Sequence, residues 1–184
     1  MKNSILRKLK CLLWAETDIR AARELCEHLI HKFEKLKSRC IRRGIQDGVI
    51  ISYARPFGRN RGLGTLPTKF SEFDDEKTLR FHKRMLSARH FVAAHHNVRG
   101  RTSLLSPQAL QAGPDKILIE VQSDGQTEWE IKAPALDSSV LREVVKLCRL
   151  QEQRINAEAR RILSEVSRGH SYAPRLYTLG ENFP

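Results

Sequence analysis

Acidic side chains are in short supply: 21 Asp and Glu stand against 33 Lys and Arg, a formal net charge of +12 and a pI near 10.0. That surplus favours a polyanionic partner, nucleic acid above all, although the same charge can serve solubility alone. Aromatic residues are also scarce, at 7%. They are not interleaved with the basic runs, which gives little support to recognition of a single strand by base stacking. The cysteines Cys11, Cys26, Cys40 and Cys148 form no Cys-x-x-Cys pair. Each sits in an apolar helical context where a thiol packs as a small hydrophobe, so neither a metal site nor a disulfide is expected. No apolar run approaches the ~20 residues of a membrane span. The segment "CLLWA" after Lys2, Arg7, Lys8 and Lys10 is too short even for the core of a secretion signal. The expectation is a cytoplasmic protein with reduced thiols, no membrane partner, no metal and no cofactor.

What the chain does have is enough apolar material, 40% of 184 residues, to bury one core without disulfides or metal. A single domain over 1–184 is expected. From 16 to 42, Ile19, Ala22, Cys26, Leu29, Phe33, Leu36 and Cys40 recur three and four apart, the spacing of a helix with one buried stripe. Thr17 or Asp18 is its natural cap, and Gly44 its natural stop. A shorter helix is expected from 47 to 54, closed by Pro56, which restricts Arg55 and removes a donor. "FGRNRGLGTLPTKF" reads as loop.

A third helix should start at Asp74 or Asp75 and run to about 95. Phe81, Met85, Ala88 and Val92 form its core stripe. A second column carries Leu79, His82, Leu86, Arg89, Ala93 and His96, so basic groups intrude on a packed surface. "VRGRTSLLSPQALQAGPDK" reads as a long connection with a helical turn near 107–111. "ILIEV" and "TEWEIK" flank Asp124-Gly125, a tight-turn signal, so a β-hairpin is expected at 117–132. A lone hairpin is marginal in water, so its apolar side should lie on the helices. Asp137 or Ser138 should cap a final long helix to about 168, with Leu141, Val144, Cys148, Ile155, Ile162 and Val166 inside. The tail 169–184 reads as irregular. The fold class expected is mainly all-α, an antiparallel helical bundle with one inserted hairpin.

The stretch "LRFHKRMLSARHFVAAHHN" concentrates basic and imidazole groups at the end of the third helix: Arg89, then His90, then His95 and His96. An arginine, a polar residue, a short spacer and a histidine are the signature of the HEPN superfamily, helical domains of many prokaryotic toxin, anti-phage and RNA-processing nucleases. The sequence resembles that family here, and "YARPFGRN" at 53–60 adds to the likeness, which covers mainly 45–97. The resemblance implies metal-independent RNA cleavage by attack of the 2′-hydroxyl on the adjacent phosphodiester. It also implies a homodimer in which each copy lends half of the site, and an antitoxin or operon partner. On that reading Arg89 and His95 are catalytic, with His90, His96, His82 and Arg55 as supporting or phosphate-binding groups.

The chemistry suits the residue types. Histidine titrates near neutrality and can move protons, and the planar guanidinium fork stabilises charge growing on a phosphorane. At about 100° per residue, however, Arg89 and His96 fall nearly on one line while His95 is displaced by about 120°. His96 is therefore a credible substitute for His95. Simpler roles stand beside these: Arg89 paired with a neighbouring glutamate, His95 capping the helix C-terminus, His82 a satisfied core histidine, Arg55 a loop anchor. The "GLG" at 62–64 lacks the strand and the Lys-Ser/Thr of a phosphate-cradling loop. The basic runs "SRCIRR" at 38–43 and "VRGR" at 98–101 could track an RNA backbone or be solvated charge. The alternative function is a non-catalytic basic helical module that binds RNA or an acidic protein, and a third is a purely structural helical dimer.

Overall fold

The computed structural model describes residues 2–32, 38–58, 64–94, 116–121, 127–132 and 136–168. Within them the protein is mainly α-helical, with four long helices: α1 (Lys2–Lys32), α2 (Arg39–Ala54), α3 (Glu76–Ala94) and α4 (Ser138–Ser167). Single 3-10 turns follow α2 at Arg55–Phe57 and precede α3 at Thr68–Ser71. Two strands, β1 (Lys116–Val121) and β2 (Thr127–Lys132), pair antiparallel with Ile117 opposite Ile131 and Ile119 opposite Trp129. The residues between them, the turn expected at 107–111 and the tail at 169–184 lie outside the described residues.

The long helix expected over 16–42 is two helices with other boundaries. α1 starts at Lys2 because the apolar spacing continues backwards through Ile5, Leu9, Leu12 and Ala15, of which the last three are buried. Thr17 and Asp18 cap nothing. The Thr17 hydroxyl donates back to the Leu13 carbonyl at 3.1 Å, and Asp18 accepts from Arg55 at 2.6 Å. Ser38 opens α2 by accepting from the Ile41 amide, so Gly44 lies inside a helix and ends none. Phe33 and Leu36 lie outside the described residues. Cys40 is exposed, against expectation; it sits about 140° around α2 from the stripe that passes through Ile45, Val49 and Tyr53. Cys26 and Cys148 are buried as expected, and desolvation pushes the Cys26 thiol up to about 12.

α2 closes where Pro56 requires, its last amide bond running from Arg55 to the Ile51 carbonyl. The chain returns through Gly64, at φ 90°, a region that favours glycine. There the Leu66 amide bonds the Pro56 carbonyl at 2.9 Å. Asp75 caps α3 by accepting from the Thr78 amide at 2.8 Å, and Asp137 caps α4 through the Ser139 and Val140 amides at 2.8 and 2.9 Å. Both caps fall where the sequence places them.

α1 packs along α4 and against α2, and α3 packs against α2. Lys8, Arg23 and Glu27 of α1 meet Glu158, Glu152 and Arg149 of α4 in that order, so α1 and α4 run antiparallel. Leu9, Leu12, Ile19, Cys26 and Leu29 face Leu141, Val144, Cys148, Ile155 and Ile162 in one buried cluster, which Val49, Tyr53, Phe70 and Met85 extend. Each such aliphatic side chain contributes about 1.5–3 kcal/mol by leaving water. The adjacent leucines of α1 give a direct check, since Leu12 is 0% exposed and Leu13 45% exposed. Leu12→Ala is expected to cost about 2–5 kcal/mol and Leu13→Ala under about 0.5 kcal/mol in urea denaturation. Equal losses would mean that the N-terminal third of α1 is not packed as described.

Candidate nucleic-acid interface

The site is built on the α2–α3 contact. Near the end of α2 stands Tyr53, which is fully buried and whose hydroxyl lies 2.7 Å from Nδ1 of His82 on α3. The imidazole is 1% exposed and packed edge-on to Phe57 and Tyr53 and against Phe73, with ring centroids at 4.7, 5.8 and 5.1 Å. Its Nε2 has no hydrogen-bond partner among the described residues. Burial first, then the positive charges of Arg154 and Lys83, push its pKa down from 6.5 to about 4, so it is neutral at physiological pH. His82 therefore holds the fold together, and a phosphate at the surface does not meet it. The core line of α3 runs through His82, Met85 and Ala88, with Phe81 only half-buried. It is rotated from the expected stripe because Tyr53 gives the imidazole a partner inside.

Arg89 lies seven residues beyond His82, on nearly the same line of the helix. It is half-buried, and its guanidinium lies against Gly58, filling the space that a β-carbon there would occupy. Glycine at 58 is what lets the side chain approach the backbone this closely. No carboxylate forms an ion pair with Arg89 among the described residues. The following His90 belongs to α3, which the structure describes to Ala94. The side chain of His90, and His95 and His96 altogether, lie outside the description.

Arg55 is held elsewhere. Its Nη1 donates to Asp18 on α1 at 2.6 Å, which fastens the Arg55–Phe57 turn to α1 and makes Arg55 a loop anchor. Desolvation raises the Asp18 carboxyl above its ordinary value, against the opposing pull of Arg55. The pair borders a cavity of about 220 Å³ lined by Cys11, Trp14, Ala15, Pro56 and Gly64 as well. On the other side of α3 a groove of about 600 Å³ separates it from the start of α4, with Phe81, Leu147 and Leu150 on its floor and Lys77, Arg80, Arg84 and Lys146 around it. Arg80 and Lys146 pair with Glu76 and Glu143 at 3.1 Å each, exposed pairs that add little to stability and offset part of the positive charge there. No group of metal-ligating side chains occurs among the described residues, and no described helix is long and apolar enough to cross a membrane.

The two segments that carry the sequence likeness thus touch at Tyr53 and Phe57 on His82 and at Gly58 on Arg89. Comparison with protein-family models, curated proteins and solved structures finds no match for the chain. Sequence reasoning did not single out Tyr53, Gly58 or Trp14. The first two lie inside "YARPFGRN", but their partners are helix residues some thirty positions on. Trp14 lies in the short apolar segment "CLLWA", and the residues that face it across the cavity come from the Arg55–Phe57 turn and Gly64.

Acid stability reports on the buried imidazole. The unfolded chain protonates His82 near 6.5, while the folded chain resists to about 4. Stability is therefore whole above 6.5 and lost as pH falls toward 4, by up to about 3 kcal/mol. Glu158, held well below the usual carboxylate range by Arg161, Lys69 and Lys8, adds its own loss only at lower pH, below 4.5. Urea midpoints between pH 7 and 4, with the His82 ring followed by NMR, check this; a ring that titrates near 6.5 would place His82 in water.

Proposed function

We propose that the protein is a HEPN-like, metal-independent endoribonuclease, with a toxin or anti-phage defence role, in which Arg89 holds the scissile phosphate and His95 moves protons. The observation that carries this reading is Arg89: a half-buried guanidinium over a glycine, without a carboxylate counter-ion among the described residues, at the end of the helix that leads into the histidines. A planar fork so placed suits the non-bridging oxygens of a phosphodiester. The net charge of +12 draws the strand in.

In the reaction the RNA 2′-hydroxyl gives up its proton and attacks phosphorus, the 5′-oxygen leaves with a proton, and a 2′,3′-cyclic phosphate remains. One imidazole accepts the first proton and another donates the second, so a homodimer that brings two copies of His95 to one cleft supplies both. Arg89 stabilises the extra charge of the phosphorane. The β1–β2 pair is taken as a hairpin inserted between α3 and α4, turning at Asp124-Gly125.

A second reading, a non-catalytic basic module for RNA or an acidic protein such as an antitoxin, draws on a specific observation: two of the expected supporting groups have structural duties, His82 in the core and Arg55 on Asp18. Incubation with total RNA in EDTA separates the two. Cleavage that falls at least about 100-fold in both Arg89→Ala and His95→Ala is expected for the nuclease. No cleavage by the wild type, with salt-sensitive binding that survives His95→Ala, gives the binding module.

Gly58→Ala probes the same site without replacing a charged residue. The new methyl must displace the Arg89 guanidinium, the mobile end of a flexible side chain. Thermal stability is expected to change little while cleavage falls about 10-fold or more, since small misplacement of a positioned group is costly. Cleavage at the wild-type rate would separate Arg89 from the reaction.

A further inference from the structure

Trp14 is the most exposed of the large hydrophobic residues described, at 58%, with Leu13 beside it at 45%. It stands in the middle of α1, a helix that has no need of an indole in water. Arg7, Cys11, Trp14 and Asp18 follow one another at helical spacing along one face, and Lys10 lies one turn before Trp14. Across from this face the Arg55–Phe57 turn brings up Arg55 and Pro56, and Gly64 closes the far side of a cavity of about 220 Å³ beside the indole. The same turn ends at Gly58, where Arg89 rests. An aromatic face, a small recess and a strip of cations thus continue, across one 3-10 turn, into the proposed phosphate site.

We infer that Trp14 is a stacking platform for an unpaired nucleobase of the RNA strand whose phosphate meets Arg89, an inference that rests on the RNA reading above. The recess is smaller than the roughly 300–1,000 Å³ that enclose a whole small molecule; it takes the edge of one planar ring, not a free nucleotide. Every base offers a π-face to an indole, and the contact demands that the base leave its duplex, so the site selects single-stranded RNA without choosing its sequence. The cations Arg7 and Lys10 flank the platform where the strand's phosphates pass. A helical duplex, with its bases stacked inside, reaches the cations and not the indole.

The test uses the full chain and a 2′-O-methyl oligonucleotide, which binds as RNA but cannot be cut by 2′-hydroxyl attack, single-stranded or annealed to its complement. Single-strand affinity is expected to fall about 5- to 100-fold in Trp14→Ala and to be largely kept in Trp14→Phe, while duplex affinity stays within about twofold. Trp14 is exposed, so both variants are expected to keep the helical fold, which circular dichroism checks. Single-strand binding equal to wild type in Trp14→Ala, or an equal loss on single strand and duplex, overturns the platform while leaving RNA binding standing. Wild type that binds neither probe overturns the RNA reading and the platform with it. Self-association that Trp14→Ala abolishes, with RNA binding unchanged, assigns the patch to a protein contact and overturns the inference.

Discussion

The contact between the Tyr53 hydroxyl and the His82 imidazole, 2.7 Å apart, governs the arrangement of the candidate site. It sits in the wall between α2 and α3, and in low-dielectric surroundings a polar pair of this kind has few acceptable geometries. Sliding α3 by one turn would leave the imidazole buried and unpaired, a cost of about 1–3 kcal/mol. The register of α3 on α2 is fixed accordingly. Gly58 follows Tyr53 by five residues and Arg89 follows His82 by seven, so the register that satisfies the buried pair also lays the guanidinium on the glycine. A core requirement and a surface arrangement are thereby the same requirement.

The frame around that contact is held by a different kind of interaction. α1 and α4 bury one long apolar seam, and ion pairs run along its edge. Glu158 is the most enclosed of the carboxylates in these pairs, at 8% exposed, and takes Lys8 of α1 and Lys69 of the turn before α3 at 2.8 Å each, with Arg161 at 3.0 Å. Three cations around one carboxylate keep it ionised and tie together three parts of the chain. Nearby, Arg154 of α4 lies over the Phe70 and Phe73 rings and donates to the Lys69 carbonyl. The basic surplus of the composition is therefore partly structural. Arg23, Arg154 and Arg161 are engaged in the contacts that hold the frame together, whereas Arg7, Lys10 and Arg43 stand exposed on helix surfaces.

Much of the helical frame was legible in the spacing of apolar residues, and the caps at Asp75 and Asp137 were legible because a short acceptor ahead of a periodic run has one main use. The start of α1 was not, because Thr17 and Asp18 look like caps and are instead engaged by Leu13 and Arg55. Nor does local pattern separate one helix over 16–42 from two, since the stripe of α1 extrapolates smoothly toward Cys40. At the site, Arg89 stood out by its company in the sequence. That His82 turns inward depends on Tyr53, and that Arg55 serves α1 depends on Asp18, both tertiary facts. The platform at Trp14 escaped for the same reason: Arg55 lies far along the chain from Trp14, and only the fold brings the two to one cavity.

Helical geometry sharpens what a nuclease built on this arrangement requires. Arg89 points at Gly58, at the end of its own chain's Arg55–Phe57 turn. A continuous helix would turn His95 about 120° away from that direction, while His96 would stay on the line of Arg89. A site made within one chain therefore favours His96, or needs the helix to end by Ala94 so that His95 can swing back. A site made between two copies needs neither, because on a continuous helix an imidazole about 120° from its own arginine would face away from it, toward the arginine of a second molecule. The choice between His95 and His96 as the proton carrier is thus also a choice between one chain and two. If removing His95 abolishes cleavage while removing His96 spares it, the Arg89 and His95 that meet at a scissile phosphate belong to different copies or to a broken helix end.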